Sequence, residues 1–177
     1  MKFLCPENDK FFKYWKSLRK NELIPLRTNF NPEDIPELLP FITIYQLLSK
    51  DNIRVKLAGT AINDRDGYNR TGDNYLDVVP DERKAKASAA FWAARNKPCG
   101  MRVIITSKSQ KGLVRSIEAL GLPIKDKNES PPLLYYCSPA IEKTSLLDII
   151  KGDSLEQVSI KQRDFIDIGA GVPHFED

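Results

Sequence analysis

The residue types that carry nucleophilic and metal chemistry are scarce in this sequence. His174 is the only histidine and lies close to the C-terminus, while Cys5, Cys99 and Cys137 are far apart and form no CxxC pair. A Ser-His-Asp triad or a Cys-His pair would have to use His174, because both need an imidazole base. The sequence therefore disfavours triad-type hydrolase chemistry. It indicates neither a zinc site nor a disulfide framework, and we expect reduced thiols.

Carboxylates are frequent in the turns that follow residue 58, where they could support acid-base chemistry or hold a metal ion. The candidates are Asp64, Asp66, Asp73 and Asp77. Capping of turns and helix ends also explains them, because short acidic side chains accept hydrogen bonds from nearby backbone amides. We favour capping and keep the acid-base or metal role as an alternative, since spacing alone does not identify perturbed carboxylate pairs.

Other polar side chains could bind a ligand. Arg65, Tyr68 and Arg70 surround a glycine turn, although turns are commonly polar without any such role. Arg102 and Glu118 fall on two neighbouring predicted strands. If both face a pocket, they pair with each other or present a bidentate site for a carboxylate ligand. The alternative that we favour is a solvated cross-strand pair, because exposed pairs are the common case.

The elements that position these side chains follow from apolar periodicity and from glycine and proline. Residues 54–58 alternate polar and apolar as a half-buried strand does, residues 61–66 give one or two helical turns, and Gly67 suits the left-handed position that closes them. A helix is predicted over residues 81–95, with Asp81 as its cap. Further strands are predicted at residues 41–48, 101–107, 114–122 and 133–138. Together they indicate a mixed α+β domain with a mostly antiparallel sheet.

An amphipathic helix is predicted over residues 9–21. Phe11, Trp15 and Leu18 recur at i, i+4 and i+7, and lysines and arginines surround them. We expect this apolar stripe to pack against the sheet or against a second subunit. Binding of the same stripe to an anionic membrane is the weaker alternative.

Composition limits the classes of function. The chain has 177 residues, the usual size of one domain, and its net charge of +3 comes from 27 basic and 24 acidic residues. Because this excess is small and mixed along the chain, we expect no nucleic-acid partner. No apolar run has the length of a membrane span, and the N-terminus lacks a secretory apolar region, so the cytoplasm is the expected location.

Residues 54–83, RVKLAGTAINDRDGYNRTGDNYLDVVPDER, have the order strand, short helix, glycine turn and helix start. With LRKNELIPLR and NFNPEDIPELLPFI before them and EALGLPI and FIDIGAGVP after them, the sequence resembles the PAS-like family described mainly from alphaproteobacteria. The resemblance implies an α+β fold: a five-stranded antiparallel sheet in the order 2-1-5-4-3 with helices across one face. It also implies one domain over residues 1–177, with a lead-in at 1–40, a core at 41–140 and a C-terminal extension at 141–177.

The resemblance also implies a function. In a PAS fold the helix at residues 81–95 covers the ligand cavity, so Phe91 and Trp92 either fill that cavity or stack on a ligand, and filling is the commoner outcome. A haem ligand or a flavin-adduct cysteine motif is not recognisable, so we expect no cofactor. We expect a non-enzymatic sensory module that binds an unknown small molecule, signals through a partner protein, and could form a homodimer through its N-terminal helix. The alternatives are a small enzyme with carboxylate acid-base chemistry and a filled core that binds only proteins.

Overall fold

An antiparallel sheet of six strands lies between helices on both of its faces in the computed structural model of the chain, which describes residues 2–126, 133–142 and 153–176. The helices are α1 (Pro6–Leu18), α2 (Thr60–Asp66) and α3 (Asp81–Asn96). The strands are β1 (Ile42–Ser49), β2 (Asn52–Ala58), β3 (Gly100–Ser109), β4 (Val114–Ile124), β5 (Leu133–Cys137) and β6 (Leu155–Ile166). Their spatial order is β2-β1-β5-β4-β3-β6. The first five strands follow the order that the sequence resemblance implied.

Helix α1 covers one face of the sheet with its apolar stripe. It begins at Pro6, three residues before the predicted start, because proline is well tolerated in the first helical turn. Phe11, Trp15 and Leu18 are buried as their spacing predicted, and the Trp15 indole donates a hydrogen bond to the carbonyl of Pro123 over 2.9 Å. The apolar stripe is therefore used within the chain. A dimer formed through α1 would have to use its other residues.

Helices α2 and α3 and a 3₁₀ turn at Tyr75–Val78 cover the opposite face. Helix α2 ends at Gly67, whose φ of 81° confirms the predicted left-handed position. A side chain there would be strained, since this region of φ favours glycine. The cap predicted for α3 is wrong by one residue, because Pro80 occupies the N-cap. Asp81 is the first helical residue, and it forms an exposed ion pair with Lys84 at 2.7 Å.

Strand β6 was not predicted, and it extends the sheet beyond β3. Residues 143–152, which belong to the expected C-terminal extension, lie outside the described residues. The FIDIGAG segment ends β6 and turns, with the Asp167 carboxylate accepting hydrogen bonds from the amides of Gly169 and Gly171. These backbone bonds lower the pKa of Asp167. None of the helices in the described ranges combines the length and the apolar character that crossing a bilayer requires.

Candidate functional site

A cavity of about 60 Å³ lies between the sheet and the helices α2 and α3; we call it the central cavity. Strands from the middle of the sheet form its floor, α2 and α3 form its roof, and β6 closes one side. Side chains on β3 and β4 reach it at every second residue, as the strand period requires. The strand residues of the lining include Thr43, Tyr45, Met101, Val103, Ile105, Ser107, Ile117, Ala119, Tyr136, Leu155, Val158, Ile160 and Arg163, and Ser138 follows the end of β5. The other elements add Arg65, Asp66, Arg70, Tyr75 and Phe91.

Four aromatic rings form the centre of the lining. The ring of Tyr45 meets those of Tyr75, Phe91 and Tyr136 edge-on, with centroid separations of 5.5, 5.4 and 5.3 Å. Phe91 stacks on Tyr136 at 5.5 Å. Edge-on and offset arrangements of this kind are the favourable ones for aromatic pairs. The rings therefore give the cavity an apolar wall that carries three phenol hydroxyls.

The hydroxyl of Tyr136 is buried and has no hydrogen-bond partner among the described residues. Burial raises the pKa of Tyr136 well above its ordinary value, and burial likewise raises the pKa of Tyr45 and of Tyr75. The three hydroxyls are therefore protonated at neutral pH and can donate hydrogen bonds.

The ring of Tyr136 lies directly over Gly121, its partner residue on β4. A Cβ atom built at Gly121 would be 2.1 Å from Cζ of Tyr136. Real Cβ atoms essentially never approach another atom so closely. The absence of a side chain at position 121 therefore lets the ring take this position.

Charged groups line the side of the cavity next to α2. The Asp66 carboxylate pairs with two arginines, with Oδ1 3.2 Å from Nε of Arg65 and Oδ2 3.0 Å from Nη1 of Arg70. Nε of Arg70 also lies 3.3 Å from a carboxylate oxygen of Asp73 at the surface. Nη1 of Arg65 donates to the Ser138 carbonyl over 3.0 Å. The short helix and the turn that follows it thus place two arginines and one aspartate at the cavity.

Strand β6 completes the lining. Leu155, Val158, Ile160 and Arg163 all contribute to the cavity wall. The guanidinium carbon of Arg163 lies 5.0 Å from the centroid of the Phe175 ring, a cation–π contact that ties the chain after β6 to this strand. Strand β6 is therefore part of the site.

A wider surface groove of about 420 Å³ adjoins the central cavity, and Arg65 and Ser138 line both. Its other walls come from the first turn of α1, from α2 and from residues 139–142. Arg65 thus lies between the groove and the buried cavity.

The structure brings three of the predicted ligand-binding residues to the central cavity: Arg65, Arg70 and Phe91. Tyr68 is 40% exposed on the outer side of the turn, where its ring contacts the guanidinium of Arg70. Trp92 is half-buried beside the cavity, and its indole N–H points to the carbonyl of Ser49. Neighbouring helical residues point about 100° apart, so Phe91 and Trp92 do not share one direction.

Arg102 and Glu118 lie on the α1 face of the sheet, away from the central cavity. The preferred expectation of a solvated pair is wrong, because Glu118 is fully buried and Arg102 nearly so. Nε of Arg102 is 2.6 Å from a Glu118 oxygen, and its Nη1 is 2.9 Å from Asp164 on β6. The pairing between the two residues is as predicted.

Glu118 also anchors the start of α1. Its carboxylate accepts hydrogen bonds from the amides of Leu4 and Cys5 and from the side chain of Asn8. Burial alone would raise the pKa of Glu118, but these bonds and the Arg102 guanidinium outweigh burial and hold the pKa below its ordinary value. Glu118 is therefore a charged residue that links β4 to α1.

Thiols and histidine do not contribute to the cavity lining. All three cysteines are buried, and burial raises the pKa of Cys99 to about 11 and that of Cys5 to about 12. His174 is exposed near the end of the chain. No group of three or more His, Cys, Asp or Glu in the described part of the chain is placed to hold a metal ion.

The sequence analysis did not identify Tyr45, Tyr75, Tyr136 and Arg163 as lining residues. It also did not identify Asp66 as a buried ion-pair partner. Tyr45 and Tyr136 lie in predicted strands, so alternation could have placed them on one face. Asp66 and Arg70 are four residues apart, a spacing at which opposite charges meet on a helical turn. Arg163 could not have been found, because its strand was not predicted.

Comparison with known proteins gives a family match. A family model described as a PAS domain matches residues 4–136. A search among curated proteins gave no match. Similar solved structures include a light-oxygen-voltage domain with a flavin analogue, at 11% identity and a TM-score of 0.48 over 63% of this chain and 84% of that one. The Rhodobacter sphaeroides LOV protein is 13% identical, with a TM-score of 0.46 over 66% of this chain and 71% of that one. At such values these likenesses add no argument about function.

Proposed function

Since this chain belongs to the PAS domain family, whose members are sensory modules that bind small ligands and signal to partners, we propose that it is a non-enzymatic sensor whose ligand occupies the central cavity. The proposal treats residues 1–177 as one unit, because β6, near the end of the chain, contributes to the cavity wall. Family membership supports the class of function. The location of the site rests on the geometry of the cavity.

The observation that carries the proposal is the hydroxyl of Tyr136. It is buried, it belongs to a residue that lines the central cavity, and it has no hydrogen-bond partner among the described residues. Leaving a buried polar group unpaired costs about 1–3 kcal/mol of folding free energy. A small ligand with a polar group would supply the partner and remove that cost.

The strand β4 offers a route from ligand to output. Ile117 and Ala119 face the cavity, whereas Glu118, which lies between them, anchors α1 from the other face. A shift of β4 on ligand binding would therefore change the hydrogen bonds that hold the N-terminus of α1. We propose that a partner protein reads the position of α1 through its exposed lysines, Lys10, Lys13 and Lys16.

The enzymatic alternative has less support from the cavity. Acid-base chemistry by paired carboxylates needs two such groups facing one substrate. Within the described residues, Asp66 is the carboxylate that lines the central cavity, and both of its oxygens are paired with arginines. We therefore favour the sensor.

Native mass spectrometry of the purified protein, followed by a fragment screen read by NMR, tests the proposal. We expect a retained mass, or fragments that shift the resonances of cavity residues. Tyr136→Phe should weaken that binding. Tyr135→Phe is the matched control, since Tyr135 is the preceding residue on β5 and is buried on the other face. A protein with no retained mass and no fragment at the cavity would contradict the proposal and favour the filled core.

A further inference from the structure

The hydroxyl of Tyr136 lies over the middle of the sheet, on the face that carries the central cavity. Ile117 and Ala119 on β4 line the cavity, and Gly121 continues their spacing of two, so it belongs to the same face. A Cβ atom at Gly121 would be closest to Cζ of Tyr136, which is the ring atom that bears the hydroxyl. Strand β4 is an inner strand of the sheet. The hydroxyl is thus placed where a molecule in the cavity can reach it.

The charged side chains of the lining already have partners within the protein. Asp66 pairs with Arg65 and Arg70, one oxygen to each. Asp73 also pairs with Arg70, so two guanidinium groups meet two carboxylates. Arg163 has interactions of its own. An ion that entered the cavity would lose its hydration and meet charges that are already balanced, whereas a neutral molecule gives up less hydration.

From these two observations we infer that the ligand of the central cavity is a small uncharged molecule with a carbonyl-type oxygen, which accepts a hydrogen bond from the Tyr136 hydroxyl. Tyr136 is 4% exposed, and its hydroxyl has no partner among the described residues. A phenol can donate one hydrogen bond and accept others. Because its oxygen shares a lone pair with the ring, donation is the stronger of the two. The inference rests on the proposed function and adds to it the chemical class of the ligand.

The walls and the volume of the cavity limit the rest of the ligand. The rings of Tyr45, Tyr75 and Phe91 surround that of Tyr136, and most of the strand residues in the lining are aliphatic. About 60 Å³ corresponds to roughly two water molecules at about 30 Å³ each. A small ketone such as acetone combines one acceptor oxygen with methyl groups that suit an apolar wall. An aromatic ligand would require the rings to move.

The experiment compares three probes that share one branched skeleton and differ in charge: acetone, acetate and isopropylammonium. Each is titrated separately into the ¹⁵N-labelled wild-type protein at one ionic strength, in a buffer free of carboxylates and amines, and NMR shifts give each Kd. We expect saturable binding of acetone with shifts at cavity residues. We expect both ions to bind at least roughly tenfold more weakly, because neither finds an unbalanced charge in the cavity.

Two variants separate the hydrogen bond from the shape of the cavity. Tyr136→Phe should raise the Kd of acetone roughly threefold to tenfold, since it removes the donor and keeps the ring. Xenon, which occupies apolar cavities and makes no hydrogen bond, should bind this variant at least as well as the wild type. Tyr135→Phe is the matched control, because Tyr135 is buried on the other face, and it should leave binding of both probes unchanged.

Several results would overturn the inference. An ion that binds as tightly as acetone would exclude an uncharged ligand while leaving the proposed sensor intact. An unchanged acetone Kd in Tyr136→Phe, or an equal loss of xenon binding, would exclude the hydrogen bond. If the cavity holds only ordered water, none of the three probes binds and the inference fails. The retained mass and the wider fragment screen then decide separately whether the cavity binds another ligand.

The comparison does not depend on the variant alone. If Tyr136→Phe does not fold, the order of the three affinities in the wild-type protein still decides whether the site selects an uncharged molecule.

Discussion

On the α1 face of the sheet, the carboxylate of Glu118 is surrounded by donors: two backbone amides, the Asn8 side chain and the Arg102 guanidinium. On the α3 face, the hydroxyl of Tyr136 has no partner among the described residues. Both groups are buried, and they lie on the neighbouring strands β4 and β5. The same sheet thus holds one buried polar group with a full set of partners and one that has no partner among the described residues.

The difference indicates a division of roles between the faces. Interactions that are complete within the protein stabilise the fold and fix α1, whereas an incomplete set of interactions costs stability and favours a ligand. Because β4 carries residues of both faces, a movement of this strand would affect both. The variants below test each side of this comparison.

Glu118→Ala should have the largest effect. It removes the partner of the buried Arg102 and leaves the amides of Leu4 and Cys5 without their acceptor. Breaking a buried ion pair by removing one member typically costs about 3–5 kcal/mol. Urea unfolding measures the change, and the double variant Arg102→Met/Glu118→Leu is the control. If the double variant is no more stable than Glu118→Ala, the cost does not come from the unpaired arginine.

Trp15→Ala should have the second-largest effect, a loss of about 3 kcal/mol or more in the free energy of unfolding. The Trp15 ring is 0% exposed and its indole is hydrogen-bonded to Pro123. Trp92→Ala on the α3 face is the comparison, and it should cost less because that ring is only half-buried. Thermal and urea unfolding of both variants check the order. Equal losses would mean that the two faces do not differ in packing.

The contribution of Glu118 to the free energy of unfolding should depend on pH in the acid range. The folded protein holds the pKa of Glu118 below its ordinary value. The carboxylate therefore contributes stability that is present above about pH 4.3 and is lost as the pH falls through the lower folded pKa. Stability measured by urea unfolding should fall below about pH 4, and the fall should be smaller in Glu118→Gln. A variant with the wild-type slope would show that other carboxylates determine acid unfolding.

Tyr136→Phe should have the smallest effect on the free energy of unfolding. Unlike the variants above, it should not lower that free energy. Without a bound ligand, removal of a buried hydroxyl that lacks a partner should leave stability unchanged or raise it by about 1 kcal/mol. Differential scanning calorimetry of the ligand-free protein measures this. A clear destabilisation would indicate that the hydroxyl has a partner in solution, and the contrast between the faces would then disappear.

Much of the fold could be predicted because local patterns and tertiary packing agree. Gly67 marked the end of α2 and Pro80 the start of α3, and the alternation at residues 54–58 predicted most of β2. Strand β6 lacks that alternation, because two irregularities in its register with β3 break the period of two. Its buried Leu155 and Val158 are three residues apart, a spacing typical of a helix.

The site was harder to predict than the fold, for a physical reason. Strand β4 is buried over most of its length, since helices cover both faces of the sheet. Alternation predicts which residues of a strand share a face, but it gave no means of deciding which face carried the cavity. Arg102 and Glu118 were therefore considered for the wrong face. Tyr45 and Tyr136, which lie in correctly predicted strands, were not recognised as lining.

Gly121 has a consequence for control of the cavity. The Tyr136 ring occupies the space that a side chain at position 121 would fill, so the ring can take this position only because residue 121 is glycine. A single methyl group added by Gly121→Ala would push the ring from behind, toward the space that a ligand needs. All polar groups of the cavity would remain, and yet the volume would shrink. Position 121 is thus a steric control point, at which the sensor could be locked in its empty state without any change to the chemistry of its lining.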